Sequence, residues 1–155
     1  MEPADLHRAL APLTARIARR PLDDALQDWL NAEVGAGSAE FARLRRVCEA
    51  GVAEGWLCQR AGGGIRYGRV FKPEPALHDF SVDVVDMADV VGPHHAHPNG
   101  EIDLILPLDA AARFDGCAAG WLVYGPGTAH APTVTGGRSL VLYLLPAGAI
   151  AFTRG

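Results

Sequence analysis

The chain has 155 residues, 49% hydrophobic and 21% charged, with a formal net charge of −4. That balance excludes global disorder and leaves no broad basic surface for a nucleic-acid backbone. No apolar run approaches the ~20 residues of a membrane helix, and the N-terminal MEPADLHRAL lacks a basic segment followed by an apolar one, so neither a membrane partner nor a secretory signal is expected.

Glycine and proline divide the chain. Residues 1–54 hold 3 of the 18 glycines and 3 of the 11 prolines, and 55–155 hold the rest. The first part reads as helices. Leu6, Leu10, Leu13 and Ile17 form one stripe at helical spacing. Pro21 opens a second helix with Asp23 and Asp24 in its first turn, Leu22, Leu26, Trp29 and Leu30 on its apolar face, and Gly35 as its stop. Ser38 caps a third, carrying Phe41, Leu44, Cys48 and Val52 on one side.

From Trp56 the period changes to that of strands. Runs 56–60 and 65–71 flank Ala61-Gly62-Gly63-Gly64 as a hairpin, and Phe80, Val82 and Val84 alternate with Ser81, Asp83 and Val85. Apolar runs follow at 102–106, 121–124 and 140–145, with 149–152 as a last short strand. Short strands between Gly/Pro turns predict a sandwich or barrel, here mainly β with about three covering α-helices. The division expected is 1–54, a helical section packed on the barrel, and 55–155, the barrel itself, in one structural domain overall. Cys48, Cys58 and Cys117 are odd in number and far apart, with no CxxC pair, so a disulfide framework is not expected and a reducing cytoplasm is the expected location.

Four of the six histidines fall between positions 94 and 130. Strand residues two apart share a face, so His95 and His97 point together, and Pro98-Asn99-Gly100 reverses the chain to bring Glu101 beside them. His130 follows the tight turn Gly125-Pro126-Gly127 and completes a three-His, one-Glu set. Imidazoles with a carboxylate suit a divalent metal ion, Fe, Mn, Zn, Ni or Co, and four ligands leave positions open for substrate or water. His94 faces the other way in this alternation and is no ligand. His7 lies on the solvent side of the first helix, and His78 stays open between a place behind the ligands, a substrate contact and the surface.

HAHPNGE at 95–101 resembles the first cupin motif, HxHx3E, and GTAH at 127–130 resembles the GxxH end of the second. Two positions depart from that pattern. Pro126 is shifted by one from the usual proline, and Leu108 stands where the first motif ends in glycine. The resemblance implies a cupin-type small β-barrel, or double-stranded β-helix. Over nearly the whole chain, through GVAEGWLCQR, GGIRYGRVFKP, FSVDVVDMADVVGPHHAHPNGEIDLILPLD, GWLVYGPGTAH and PTVTGGRSLVLYLLPAGAIAF, the sequence resembles the 4-hydroxylaminobenzoate lyase family.

That family resemblance implies conversion of 4-hydroxylaminobenzoate to 3,4-dihydroxybenzoate (protocatechuate) with release of ammonia, in bacterial nitroaromatic degradation. Cleaving the N–O bond reduces nitrogen while the ring is oxidised, so a redox-inert metal at His95, His97, Glu101 and His130 suffices as Lewis acid. A small aromatic carboxylate substrate needs a cation. Arg69, then Arg66 and Lys72, are the candidates, because 65–71 is a strand and guanidinium forks onto carboxylate. For proton transfer Asp83, Asp86, Asp103 and Tyr124 remain beside Glu101, with Asp103 on the face of Glu101. The helices cover the barrel or form the interface of a homodimer. Two other readings share the same ligands: a cupin Fe(II) dioxygenase acting on an aromatic substrate, and a non-catalytic small-molecule-binding cupin.

Overall fold

The computed structural model of the chain describes residues 1–153. Three helices occupy its N-terminal third: α1 (Pro3–Ile17), α2 (Asp24–Glu33) and α3 (Ala39–Glu54). α1 opens on a capping box, the Glu2 N–H donating to the Asp5 carboxylate at 2.7 Å, with Pro3 in the first turn. α2 starts later than the sequence predicts. The Asp23 carboxylate accepts from the Leu26 N–H at 2.9 Å and caps the helix there, leaving Pro21 outside. Ser38 caps α3 through the Phe41 N–H at 3.1 Å, and Gly55, at φ 85°, ends it.

The exit of α3 displaces the first expected strand. The N–H groups of Trp56 and Leu57 donate to the Gly51 carbonyl, and Leu57 and Cys58 are buried between helices and sheet. Pairing therefore begins only at β1 (Arg60–Gly62), which opposes β2 (Ile65–Phe71). A 3-10 turn, Pro75–Leu77, leads into β3 (Phe80–Val91). Then come β4 (His95–His97), β5 (Glu101–Pro107), β6 (Arg113–Phe114), β7 (Gly120–Tyr124), β8 (Thr128–His130), β9 (Thr133–Pro146) and β10 (Ala151–Phe152).

Seven strands form one antiparallel sheet in the order β1-β2-β3-β9-β5-β7, with β6 on β9, and three form a second, β10-β4-β8. The two sheets make a jelly-roll-like sandwich, closed between its layers by side chains and not by a continuous hydrogen-bonded barrel wall. Alternation gives the large sheet two apolar faces. Val82, Val84, Ile102, Leu104, Leu140 and Leu142 pack against α1–α3, whereas Val85, Met87, Ile105, Val141 and Leu145 face the gap between sheets. This is why β5 and β9 read as nearly unbroken apolar runs.

α2 also finishes the edge of β7. Asn31 accepts from the Trp121 N–H at 2.8 Å and donates to its carbonyl at 2.9 Å, and the Gln27 side chain accepts from the Val123 N–H at 2.9 Å. Side-chain amides thus take the place of a neighbouring strand and remove an edge open to pairing. The Trp121 indole N–H donates to the Val34 carbonyl at 2.8 Å, fixing the end of α2 to the same strand.

The reversal between β4 and β5 depends on Gly100. Its φ is +86°, and a Cβ there would lie 2.7 Å from both the Tyr124 carbonyl oxygen and Leu22 Cδ2. Gly100→Ala is expected to cost about 2 kcal/mol from the left-handed backbone and the clash, read as a lower midpoint in thermal or urea unfolding. An unchanged midpoint would show that the turn relaxes freely.

Candidate metal centre

β4 and β8 pair so that His95 stands opposite His130 and His97 opposite Thr128. Residues opposite one another in an antiparallel pair project to the same side, so all three imidazoles face the large sheet. There Glu101, the first residue of β5, meets them. Its Oε1 lies 3.2 Å from His95 Nε2, and its Oε2 lies 3.2 Å from His97 Nε2 and 3.5 Å from His130 Nε2. The ligand atoms of His95, His97, Glu101 and His130 all fall within 4.8 Å of one another.

Each imidazole is oriented from behind. His95 Nδ1 donates to the Pro93 carbonyl at 3.2 Å. His97 Nδ1 donates to Thr128 Oγ1 at 3.0 Å, and that hydroxyl donates onward to the Gly125 carbonyl at 2.7 Å. His130 Nδ1 donates to Asp115 Oδ2 at 2.6 Å. With every Nδ1 turned outward to an acceptor, the Nε2 atoms converge on the centre as ligands.

The residues fit a divalent cation. His97 Nε2 and Glu101 Oε2 are buried and make no hydrogen bond, since their approach is off the hydrogen-bond line. A buried nitrogen and a buried oxygen that converge without a shared proton are what coordination satisfies. Burial opposes charge on Glu101, yet the close approach of the His130, His95 and His97 imidazoles outweighs it and holds the carboxyl well below the usual range. Burial likewise disfavours the His130 cation, but Asp115 and Glu101 overcome it and raise its pKa to about 9. A cation bound here therefore displaces a proton from His130 at neutral pH.

Asp103 sits on the same inward face, two residues along β5, fully buried, with neither carboxyl oxygen hydrogen-bonded. Burial, and then the adjacent Glu101, raise its pKa well above the ordinary carboxylate range. Tyr124 is beside the cluster but its hydroxyl donates to Asp115 Oδ2 at 2.6 Å and its ring stacks on His97, at 5.3 Å between centroids. Burial and Asp115 push its own ionisation up, so it remains a phenol.

The cationic candidates separate. Arg69 pairs in register with Asp83 on the inward face; its Nε reaches Asp83 Oδ1 at 3.1 Å and its Nη2 donates to the Gly148 carbonyl at 3.2 Å. The fork is thus occupied by Asp83, and Nη1 carries no hydrogen bond among the described residues. Arg66 pairs with Asp86 on the opposite face, which carries Val82 and Val84 and packs towards the helices. Lys72 is exposed just past the end of β2. Of the remaining histidines, His94 turns away and contacts Thr153 Oγ1, His78 Nδ1 lies 3.0 Å from Thr14 Oγ1, and His7 pairs with Glu74 instead of being merely solvated.

Asp115 went unnoticed in the sequence. Besides holding His130 and Tyr124 through Oδ2, it accepts from the Thr133 N–H through Oδ1 at 2.9 Å. Its backbone is left-handed, at φ 48°, in an Asp-Gly turn, and that turn was its one local signal.

A helix-covered sandwich that gathers the ligand atoms of an HxHx3E segment and a GxxH histidine between its two sheets is a cupin. More narrowly, the chain belongs to the 4-hydroxylaminobenzoate lyase family, whose model, described as PnbB: 4-hydroxylaminobenzoate lyase, matches residues 8–152. It is a lyase. It is similar to 4-hydroxylaminobenzoate lyase of Nocardioides sp. (strain LMS-CY), at 35% identity over 97% of this chain and 94% of the relative. It is also similar to the protein of that name from Pseudomonas putida, at 30% identity over 89% and 88%. Among solved structures, the DMSP lyase DddQ from Ruegeria pomeroyi DSS-3 matches with a TM-score of 0.42 and 19% identity, over 97% of this chain and 96% of that one. An RmlC-like cupin from Ralstonia eutropha JMP134 matches with a TM-score of 0.44 and 15% identity, over 60% and 62%.

Asp115→Asn keeps an oxygen for Thr133 but sets an NH2 group against His130 Nδ1–H. The ring is then driven to the tautomer with its proton on Nε2. Divalent-metal affinity, measured by competition with a chromophoric chelator, is expected to fall about 10–100-fold in a variant that stays folded by circular dichroism. Unaltered affinity would remove Asp115 from the centre.

Proposed function

We propose that this chain converts 4-hydroxylaminobenzoate and water to 3,4-dihydroxybenzoate and ammonia, using a divalent metal held by His95, His97, Glu101 and His130. The observation that carries this reading is the buried three-His, one-Glu cluster in a chain of this family. The bonds balance without an oxidant. The N–O bond breaks, a C–O bond forms at the ring carbon beside the nitrogen-bearing one, and oxygen from water replaces nitrogen at that second carbon. The two electrons that reduce nitrogen to ammonia are those the ring loses. When bound, the metal supplies Lewis acidity towards oxygen in a dry site, which favours N–O cleavage.

The protein supplies the rest. Pro93, Thr128 and Asp115 hold the imidazoles so that no ligand rotates when substrate binds. Asp103, buried on the inward face of β5 beside Glu101, keeps its proton and delivers it to a departing oxygen. Tyr124 acts through Asp115 as a positioning residue. Arg69 offers Nη1 to the substrate carboxylate from the inward face, whereas Arg66 lies on the opposite face and Lys72 beyond the end of β2, and these are the weaker candidates.

The decisive assay is anaerobic incubation of metal-analysed protein with 4-hydroxylaminobenzoate, following ammonia and 3,4-dihydroxybenzoate. Both products are expected in equal amounts without oxygen, and His97→Ala is expected to lose bound metal and at least 100-fold of the rate together. Oxygen uptake coupled to turnover would replace the lyase reading with a dioxygenase, and binding without turnover would replace it with a non-catalytic cupin. Separately, Arg69→Met is expected to raise KM for the carboxylated substrate about 10-fold or more while leaving that for a carboxylate-free analogue nearly unchanged. Equal changes for both compounds would remove Arg69 from substrate binding.

A further inference from the structure

β10 is the outer strand of the small sheet, and Phe152 stands in register opposite His95. Its side chain therefore projects to the same inward side as His95 and His130, giving the row Phe152, His95, His130 across three strands. The Phe152 ring meets the His95 imidazole edge-on at 5.8 Å between centroids, yet Phe152 is 67% exposed. An aromatic side chain on the inner face, touching the metal cluster with most of its surface uncovered, is placed to be covered by something else.

The flanks of the cluster differ. On the β8 side the space is filled, with Phe114 and Tyr124 packed against the His130 ring and Asp115 bonded to it. On the β10 side the turn before β10 meets β2 past its pairing with β1, which covers only residues 65–67. Arg69 stands there and ties β2 to the turn before β10 through the Gly148 carbonyl. Tyr143 lies buried on the large sheet facing this flank, its ring 6.4 Å from that of His95.

We propose that substrate enters between β10 and β2 beside Arg69, and that Phe152 is a specificity-determining residue that stacks on its ring. An aromatic wall beside a ligand imidazole, with a guanidinium across the gap, recognises a planar benzenoid ring bearing a carboxylate. This inference rests on the lyase reading for the identity of the natural substrate, but the entrance is defined by its own geometry. Because the wall lies beside the metal cluster and outside it, Phe152 contributes to binding and leaves metal affinity alone.

The test uses metal-loaded full-length protein and 4-hydroxybenzoate, a benzenoid carboxylate with no N–O bond to cleave, titrated by calorimetry. The wild type is expected to bind it. Phe152→Ala and Phe152→Leu are expected to weaken binding about 10-fold, and Phe152→Tyr to restore it to within about twofold, all at unchanged metal content. The leucine variant retains apolar bulk, so a loss shared with alanine reads the ring and not the packing of β10. With 4-hydroxylaminobenzoate the same variants are expected to raise KM in parallel and leave kcat within about twofold. Absence of binding by the wild type, or equal binding by wild type and Phe152→Ala, would overturn the entrance. Binding that depends on Phe152 in a protein releasing no ammonia would leave the entrance standing and overturn the lyase reading alone.

Discussion

A carboxylate with no solvent exposure, faced by three imidazoles, is the constraint on which the rest of this molecule depends. Taking such a charge out of water costs several kcal/mol unless opposite charge meets it at close range. Three separate pieces of chain must therefore meet at Glu101: the strand before it, the strand after the second turn, and the loop that carries Asp115. The left-handed Gly100 brings Glu101 back beside His97, and the pairing of β4 with β8 sets His95 against His130. A cupin site is in this sense a solution to an electrostatic problem inside a sandwich.

The large sheet makes that interior possible. Its outer face is sealed by three helices through one apolar cluster, and its edge strand β7 is finished by amides from α2. The inner face is then free to combine an apolar end, with Val85, Met87, Ile105 and Val141, and a polar end, with Glu101, Asp103, Asp83 and Tyr143. Asp83, Tyr143 and Asp103 stand in register across β3, β9 and β5, so the polar groups gather in one end of the gap.

Much of the site was legible because its ligands follow local rules. His95 and His97 share a face by strand alternation, a Pro-Asn-Gly turn returns Glu101, and His130 follows a glycine turn at the start of a strand. What lies behind the ligands was not legible. Asp115 is 15 residues from His130 and in a turn, so no periodicity links them, and the Thr128 hydroxyl looks like any other strand threonine. Arg66 and Arg69 shared a predicted strand, but which of them faces inward depends on the register with β3, where Arg66 meets Asp86 and Arg69 meets Asp83. Because both faces of that sheet are apolar, the burial pattern could not choose between them. The first strand was misplaced at 56–60 because the chain leaving α3 is held by Gly51 and buries Leu57 and Cys58 before pairing begins.

Length, composition and residue order described a globular chain with clustered histidines, helical before residue 55 and stranded after it. By itself the sequence determined the classes of element, the four side chains that could hold a metal and the family, since each depends on residue type at short spacing. Only the tertiary structure decided which acceptors orient the imidazoles, which arginine shares their face, and that an exposed phenylalanine near the end of the described chain stands beside the centre. Those relations join strands far apart in sequence through sheet register, and register is set by the packing of whole faces and not by any local pattern.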